Sequence, residues 1–143
     1  MLVKDILKDK PVTLLAIDEG KSVLEATQLM VEAKVGSIIV TNNGKLSGIF
    51  TERDLMRVVA KEHANVGNVP LKSVMTSQLT VASPSDNIDA ILNTMVTKKF
   101  RHMPVLDGDN IVGLISIGDA IKTKLTKTQA EMSILREYMY GSQ

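Results

Sequence analysis

The sequence predicts an α/β fold in which two tandem units, each ordered strand, helix, strand, strand, helix, pack sheet to sheet about a pseudo-two-fold axis. Three observations predict it. GIFTERD at residues 48–54 returns as GLISIGD at 113–119 in the same frame of apolar, hydroxyl and acidic positions, so Thr51 and Asp54 recur 65 residues later as Ser116 and Asp119. The same offset carries Val23, Ala26 and Met30 onto Ile88, Ile91 and Met95, a spacing of three then four that places each set on one helix face. It also aligns Gly36-Ser37-Ile38-Ile39-Val40 with Arg101-His102-Met103-Pro104-Val105, and Gly48 with Gly113. A repeat of this length is one supersecondary unit used twice.

The elements follow in order. A β-branched and aliphatic run, Thr13 to Ile17, predicts the first strand. Ser22 with Glu25 three residues on is a capping-box pattern, and it predicts a helix to about Val35. SIIVT and LSGIF, separated by Asn42-Asn43-Gly44-Lys45, predict two strands and a tight turn, after which Thr51 opens a second helix. The second unit repeats the order: a strand at Leu79 to Ala82, a helix from Ser85 to about Lys98, strands near Met103 to Leu106 and Ile111 to Ile115 across Gly108, and a helix from Ser116. The boundaries expected are 1–61 for the first repeat, 62–70 for a linker (EHANVGNVP, marked by Asn, Gly and Pro), 71–122 for the second repeat, and 123–143 for a C-terminal helical extension. A three-stranded sheet with helices on one face leaves its other face apolar, so pairing two units buries both faces and creates related clefts between them.

Composition narrows the function. Seventeen Lys and Arg against 16 Asp and Glu leave no broad field to attract nucleic acid or an anionic membrane, and aromatics at 3% with no Trp supply no stacking platform for single strands. The chain has no cysteine and only His63 and His102, so disulfides, thiolate chemistry and a dedicated metal cage are not expected. MLVKDILKDK is too charged for a signal peptide and no run approaches a membrane span, which makes the cytoplasm the expected compartment. No P-loop or defensible Ser-His-Asp or Cys-His spacing is present, so an enzyme is not expected.

Thr51-x-x-Asp54 and Ser116-x-x-Asp119 admit two readings. Both sit where a strand ends and a helix begins, where a hydroxyl and a carboxylate three apart cap the helix. The same helix start offers free N–H groups and partial positive charge to a phosphate, and an aspartate there can accept both hydrogens of a vicinal diol such as ribose. Arg53, a cation in a first helical turn, opposes the helix dipole unless something anionic lies near; a surface pair with Glu52 is its plain alternative. In KKFRHMP, Lys98 and Lys99 suit a helix C-terminus, whereas Arg101 and His102 precede a strand at the inter-unit cleft and can hold phosphate, or form a solvated pair. The first repeat has Gly36 and Ser37 in their place, so the two sites are chemically unequal.

GKLSGIFTERD, IVGLISIGD and FRHMPVLD together resemble the CBS domain pair, or Bateman module, and in particular the free-standing bacterial CBS-pair proteins, over nearly the whole chain. The resemblance implies a site for an adenosine-containing ligand, AMP, ADP, ATP, NAD or S-adenosylmethionine, between the repeats. It implies ribose contacts from Asp54 and Asp119 with Thr51 and Ser116, and phosphate contacts from Arg101, His102 and Arg53, with Ser37 at the matching place in the first repeat. It implies an adenine pocket framed by Ile38, Val81, Met103 and Pro104, residues that are in the first place core. The function expected is a non-catalytic sensor that modulates an unknown effector protein in trans; the alternative is an assembly module in which the motifs serve only as caps.

Beyond the second motif, Ile121, Leu125, Thr128, Met132, Leu135 and Met139 step four, three, four, three, four, a heptad-like seam, with Lys122, Lys124, Lys127, Glu131, Arg136 and Glu137 on the polar side. It either packs on its own domain or makes a homodimer contact, and the resemblance, through the disc-like dimers of CBS pairs, favours the homodimer.

Overall fold

The computed structural model describes residues 1–9 and 14–140. Helix α1 (Val3–Asp9) precedes strand β1 (Ala16–Asp18), α2 (Val23–Ala33), β2 (Ser37–Asn42), β3 (Lys45–Thr51) and α3 (Glu52–Glu62). Short 3-10 turns at His63–Asn68 and Leu71–Ser73 lead to α4 (Ile88–Lys98), β4 (His102–Asp107), β5 (Asn110–Ser116) and the 24-residue α5 (Ile117–Tyr140). The first sheet has the order β1-β2-β3, with β1 parallel and β3 antiparallel to β2; the second is the antiparallel pair β4-β5. The two sheets meet where β3 approaches β5.

Local chemistry accounts for most boundaries. Ser22 and Glu25 form the reciprocal capping box that starts α2, and the helix ends at Lys34 in the left-handed conformation. Asn43 and Gly44, both with positive φ, turn β2 into β3. The first strand is shorter than expected, beginning at Ala16, and Thr13 lies outside the described residues, as do residues 141–143 of the C-terminal extension.

Two expectations need correction. The strand at Leu79 to Ala82 is a single bridge: Ala82 N–H donates to Pro104 O at 2.8 Å, and Leu106 N–H donates to Ala82 O at 2.9 Å. The next bond of that parallel ladder would need an N–H from Pro104, which has none. The helix expected from Ser85 starts at Ile88 with Asn87 as its cap, because Ser83 and Asp86 close a turn on each other and Ile88 N–H is taken by Met1 O. The 62–70 segment joins the two repeats and is itself packed, with Val66 and Val69 against the first core.

The ends of the two repeats are exchanged. Val3 and Ile6 of α1 are buried with Ala82, Ile88, Met95, Met103 and Ile115, in the core of the second repeat. Leu71 is buried with Val23, Ile38, Phe50 and Val58 in the core of the first, and Val74 and Met75 pack beside it. VKDIL at 3–7 and LKSVM at 71–75 are thus the same structural piece, shifted from the 65-residue offset. Backbone pairing fixes the exchange: Val3 N–H donates to Asp86 O, and Ile49 and Thr76 exchange N–H to O bonds, each at 2.9 Å. The repeat boundary at residue 61 divides the sequence pattern and not the packing.

Gly48 is where this exchange is tightest. A Cβ there would lie 2.7 Å from Thr76 O and 2.8 Å from Met75 Sδ. Gly48→Ala is therefore expected to push the Ile49–Thr76 pair apart and to lower stability by about 1 to 3 kcal/mol, read as a lower urea midpoint.

Candidate functional site

Strand register brings the motif residues together before any ligand is considered. Ser37 lies opposite Thr51 on β2 and β3, and His102 lies opposite Ser116 on β4 and β5. The first N–H of each following helix turns back onto the chain: Glu52 donates to Gly36 O at 3.0 Å and Ile117 to Arg101 O at 2.8 Å. Each repeat thus presents a strand start beside a helix start, and the two copies face one another across the interface.

Both motifs cap their helices. Thr51 N–H donates to Asp54 Oδ2 at 3.0 Å and Asp54 N–H to Thr51 Oγ1 at 3.2 Å; Ser116 N–H donates to Asp119 Oδ2 and Asp119 N–H to Ser116 Oγ, each at 3.0 Å. Beyond the cap the two aspartates differ. Asp54 is 4% exposed, and its Oδ1 accepts from Thr76 Oγ1 at 3.1 Å and from Arg57 Nη1 at 3.3 Å. Asp119 is only half-buried.

Two clefts open between the repeats. The larger, about 580 Å³, includes Thr51, Glu52, Arg53, Asp54 and Arg57 from the first repeat and Lys99, Phe100, Arg101, His102 and Ile117 from the second. The smaller, about 380 Å³, is lined by Lys34, Val35, Gly36 and Ser37 on one side and Leu114, Ser116 and Asp119 on the other. Both volumes suit a small organic ligand. Gly36, His102 and Ser116 line both clefts, so the sites share a wall.

Charge separates them. Among the described residues, the larger cleft has Arg53, Arg57, Lys99 and Arg101 against Glu52 and Asp54, with cations on both walls. Among the described residues, the smaller has Lys34 against Asp119, besides the shared His102. Lys34 and Lys99 are equivalent, both left-handed helix ends at φ 58° and 59°. The difference arises where the repeats diverge, Gly36 against Arg101 and Gly118 against Arg53.

Asp54, Thr51, Arg53, Arg101, His102 and Ser116 come together in the larger cleft, and Asp119, Ser116, Ser37 and His102 in the smaller. The expected adenine frame is not brought to either cleft. Ile38, Met103 and Pro104 are fully buried in the cores, and Val81 lines a shallow depression against α4. The apolar wall of the larger cleft is Ile49, Leu79, Phe100 and Ile117 instead. The reason is strand alternation at a two-sided interior: residues within β2 and β4 are covered from both faces, and only strand ends reach the cleft. Arg57, Thr76 and Lys99 also line the larger cleft, although none was among the expected site residues. Arg57 had a signal, since it stands four residues after Arg53 on the same helix; Thr76 had none, because only the exchanged segment brings it to Asp54.

Comparison with known proteins agrees with this architecture. The family model described as "CBS domain" matches residues 3–61 and 71–125. The chain is 29% identical over 129 residues, 90% of its length and 89% of the relative's, to the CBS domain-containing protein YhcV of Bacillus subtilis. A crystal structure of a CBS-domain containing protein from Agrobacterium tumefaciens superposes with a TM-score of 0.83 at 32% identity, covering 87% of this chain and 99% of that one. The CBS domain pair of protein MJ0100, solved in complex with 5′-methylthioadenosine and S-adenosyl-L-methionine, has a TM-score of 0.79 at 22% identity, covering 89% and 98%.

Proposed function

We propose, from the premise that the chain belongs to the CBS domain family, that it is a regulatory module which binds an adenosine-containing nucleotide (AMP, ADP, ATP or NAD) in the larger cleft and modulates an effector protein in trans. The observation that carries the reading is the placement of cations on both walls, Arg53 and Arg57 from one repeat, Lys99 and Arg101 from the other. A phosphate held from both sides ties the repeats together, and a ligand that prefers the closed arrangement shifts the protein towards it. The likeness to the MJ0100 complex is one of fold, and the ligand reading rests on the cleft's own residues.

In this reading the ribose diol docks at Oδ1 of Asp54 and displaces Arg57 and Thr76, while Oδ2 goes on capping α3 through Thr51. Arg57, released from the carboxylate, joins Arg53, Arg101 and His102 on the phosphates. The base lies against Ile49, Leu79, Phe100 and Ile117. In the smaller cleft, Asp119 and Ser116 offer the same ribose chemistry beside Ser37 and Lys34, with less charge for phosphate. The compartment proposed is the cytoplasm; among the described residues no helix is long and apolar enough to cross a membrane.

A second reading is favoured by the two complete caps: the motifs serve folding only, and the chain is an assembly module. Thermal-shift titration with AMP, ADP, ATP, NAD and S-adenosylmethionine decides between them. At about 100 times its dissociation constant a native-state ligand adds roughly 2.7 kcal/mol, a rise on the order of 5 to 10 °C for a chain of this size. The nucleotide reading expects such a rise, and expects Arg53→Gln/Arg101→Gln to weaken the best nucleotide at least about tenfold through lost charge-assisted bonds. No shift with any of the five compounds gives the assembly reading.

A further inference from the structure

Helix α5 outruns the rest of the fold. The family match ends at residue 125, whereas the helix continues to Tyr140, and every residue from Lys124 to Tyr140 is exposed. Lys124 Nζ donates to Asp89 Oδ1 at 2.6 Å and so fastens the start of this stretch to α4; that bond also holds the Asp89 carboxyl below its ordinary value. A helix of about 15 residues with nothing packed on it is marginal in water. This one carries its apolar side chains in the open: Leu125 is 57% exposed, Met132 49%, Leu135 49% and Met139 63%.

With Thr128 and Ile121 these residues form the heptad seam, Leu125, Met132 and Met139 at a positions and Ile121, Thr128 and Leu135 at d. The flanking positions then follow. The e residues are Lys122, Gln129 and Arg136, and the g residues are Lys124, Glu131 and Tyr138. In a parallel pair, g of one chain meets e of the next heptad on the other, which sets Glu131 against Arg136 twice and Lys124 against neutral Gln129. In an antiparallel pair with the seam layers matched about Ala130, e meets e and g meets g. That sets Lys122 against Arg136 and Glu131 against its own copy, like charges in every charged pairing.

We propose that the exposed part of α5 forms a parallel, in-register two-stranded coiled coil with α5 of a second copy of this chain, oriented by Glu131 and Arg136. The two CBS cores then sit side by side at one end of the coil. The occupant is a second copy because the charges that flank the seam complement the seam's own sequence in one orientation and oppose it in the other.

The two orientations predict opposite signs. Glu131→Gln and Arg136→Gln, both at exposed positions, each raise the dimer dissociation constant about two- to fivefold in the parallel coil, and the exchange Glu131→Arg/Arg136→Glu returns it towards wild type; sedimentation equilibrium reads all three. If the neutral variants tighten the dimer, the pairing is antiparallel and the proposal is overturned. If the wild type is a monomer at about 100 μM, or if Leu135→Arg leaves the dimer unchanged, the seam is not the interface and the proposal is overturned as well. Because the chain has no cysteine, Leu135→Cys supplies an independent reading. A parallel coil places the two thiols together and gives a disulfide-linked dimer under mild oxidation. The antiparallel register keeps them on the order of 15 Å apart and gives none.

Discussion

Ile6→Ala is expected to lower stability by about 2 to 5 kcal/mol, the range for truncating a well-packed core isoleucine, and to loosen the second repeat although Ile6 belongs to the first repeat in sequence. Ile6 is 5% exposed and packs in the cluster that holds Met95, Met103, Val105 and Ile115. Removing three side-chain carbons there leaves a cavity beneath α4 and β4, and it also weakens the hold of α1, whose backbone is bonded to Asp86 and Pro84. Hydrogen exchange is the informative readout. Amides of β4, β5 and α4 should lose protection before those of β2 and β3, whose core is sealed by Leu71. Protection lost first in β2 and β3 would mean that the exchanged segment does not carry the second core.

Asp54→Ala is expected to do two things at once. It removes the carboxylate that accepts from Thr51, Thr76 and Arg57, which costs about 1 to 3 kcal/mol given that the group is buried and charged. At about 2 to 4 °C per kcal/mol the melting midpoint falls accordingly. With the proposed ribose contact gone, the midpoint also stops responding to the nucleotide that raises it in the wild type. Thr51→Ala separates the effects, since it deletes the hydroxyl of the cap and leaves the carboxylate in place; it should cost about 1 kcal/mol and keep a nucleotide response. A response to nucleotide that persists in Asp54→Ala would reassign Asp54 to capping alone.

Much of the fold was legible because it rests on interactions between near neighbours in sequence. The apolar faces Val23-Ala26-Met30 and Ile88-Ile91-Met95 follow from a 3.6-residue period, the Asn43-Gly44 turn from backbone sterics, and the caps at Ser22, Thr51 and Ser116 from the reach of a side chain to an N–H three residues on. The repeat itself needed only comparison of the chain with itself. The lost strand at Leu79 to Ala82 lay between local and global: that Pro104 has no N–H is written in the sequence, but that Pro104 would face Thr80 is a matter of register.

Near-neighbour chemistry specifies the helix and the paired strands of each unit, the helix starts that carry Thr51-Asp54 and Ser116-Asp119, and the chemical inequality of Gly36-Ser37 and Arg101-His102. Which side chains share a cleft follows from long-range packing. Arg101 is set opposite Asp54 and not opposite its own repeat's Asp119, Thr76 reaches Asp54 through an exchanged segment, and Ile38 and Met103 are sealed in cores where an adenine frame was expected. The physical reason is the range of the forces involved. Hydrogen bonds within a turn and the periodicity of burial are fixed a few residues at a time, whereas the pairing of two sheet faces is fixed by apolar area contributed from the whole chain, and it is that pairing which sets the distances between the charges.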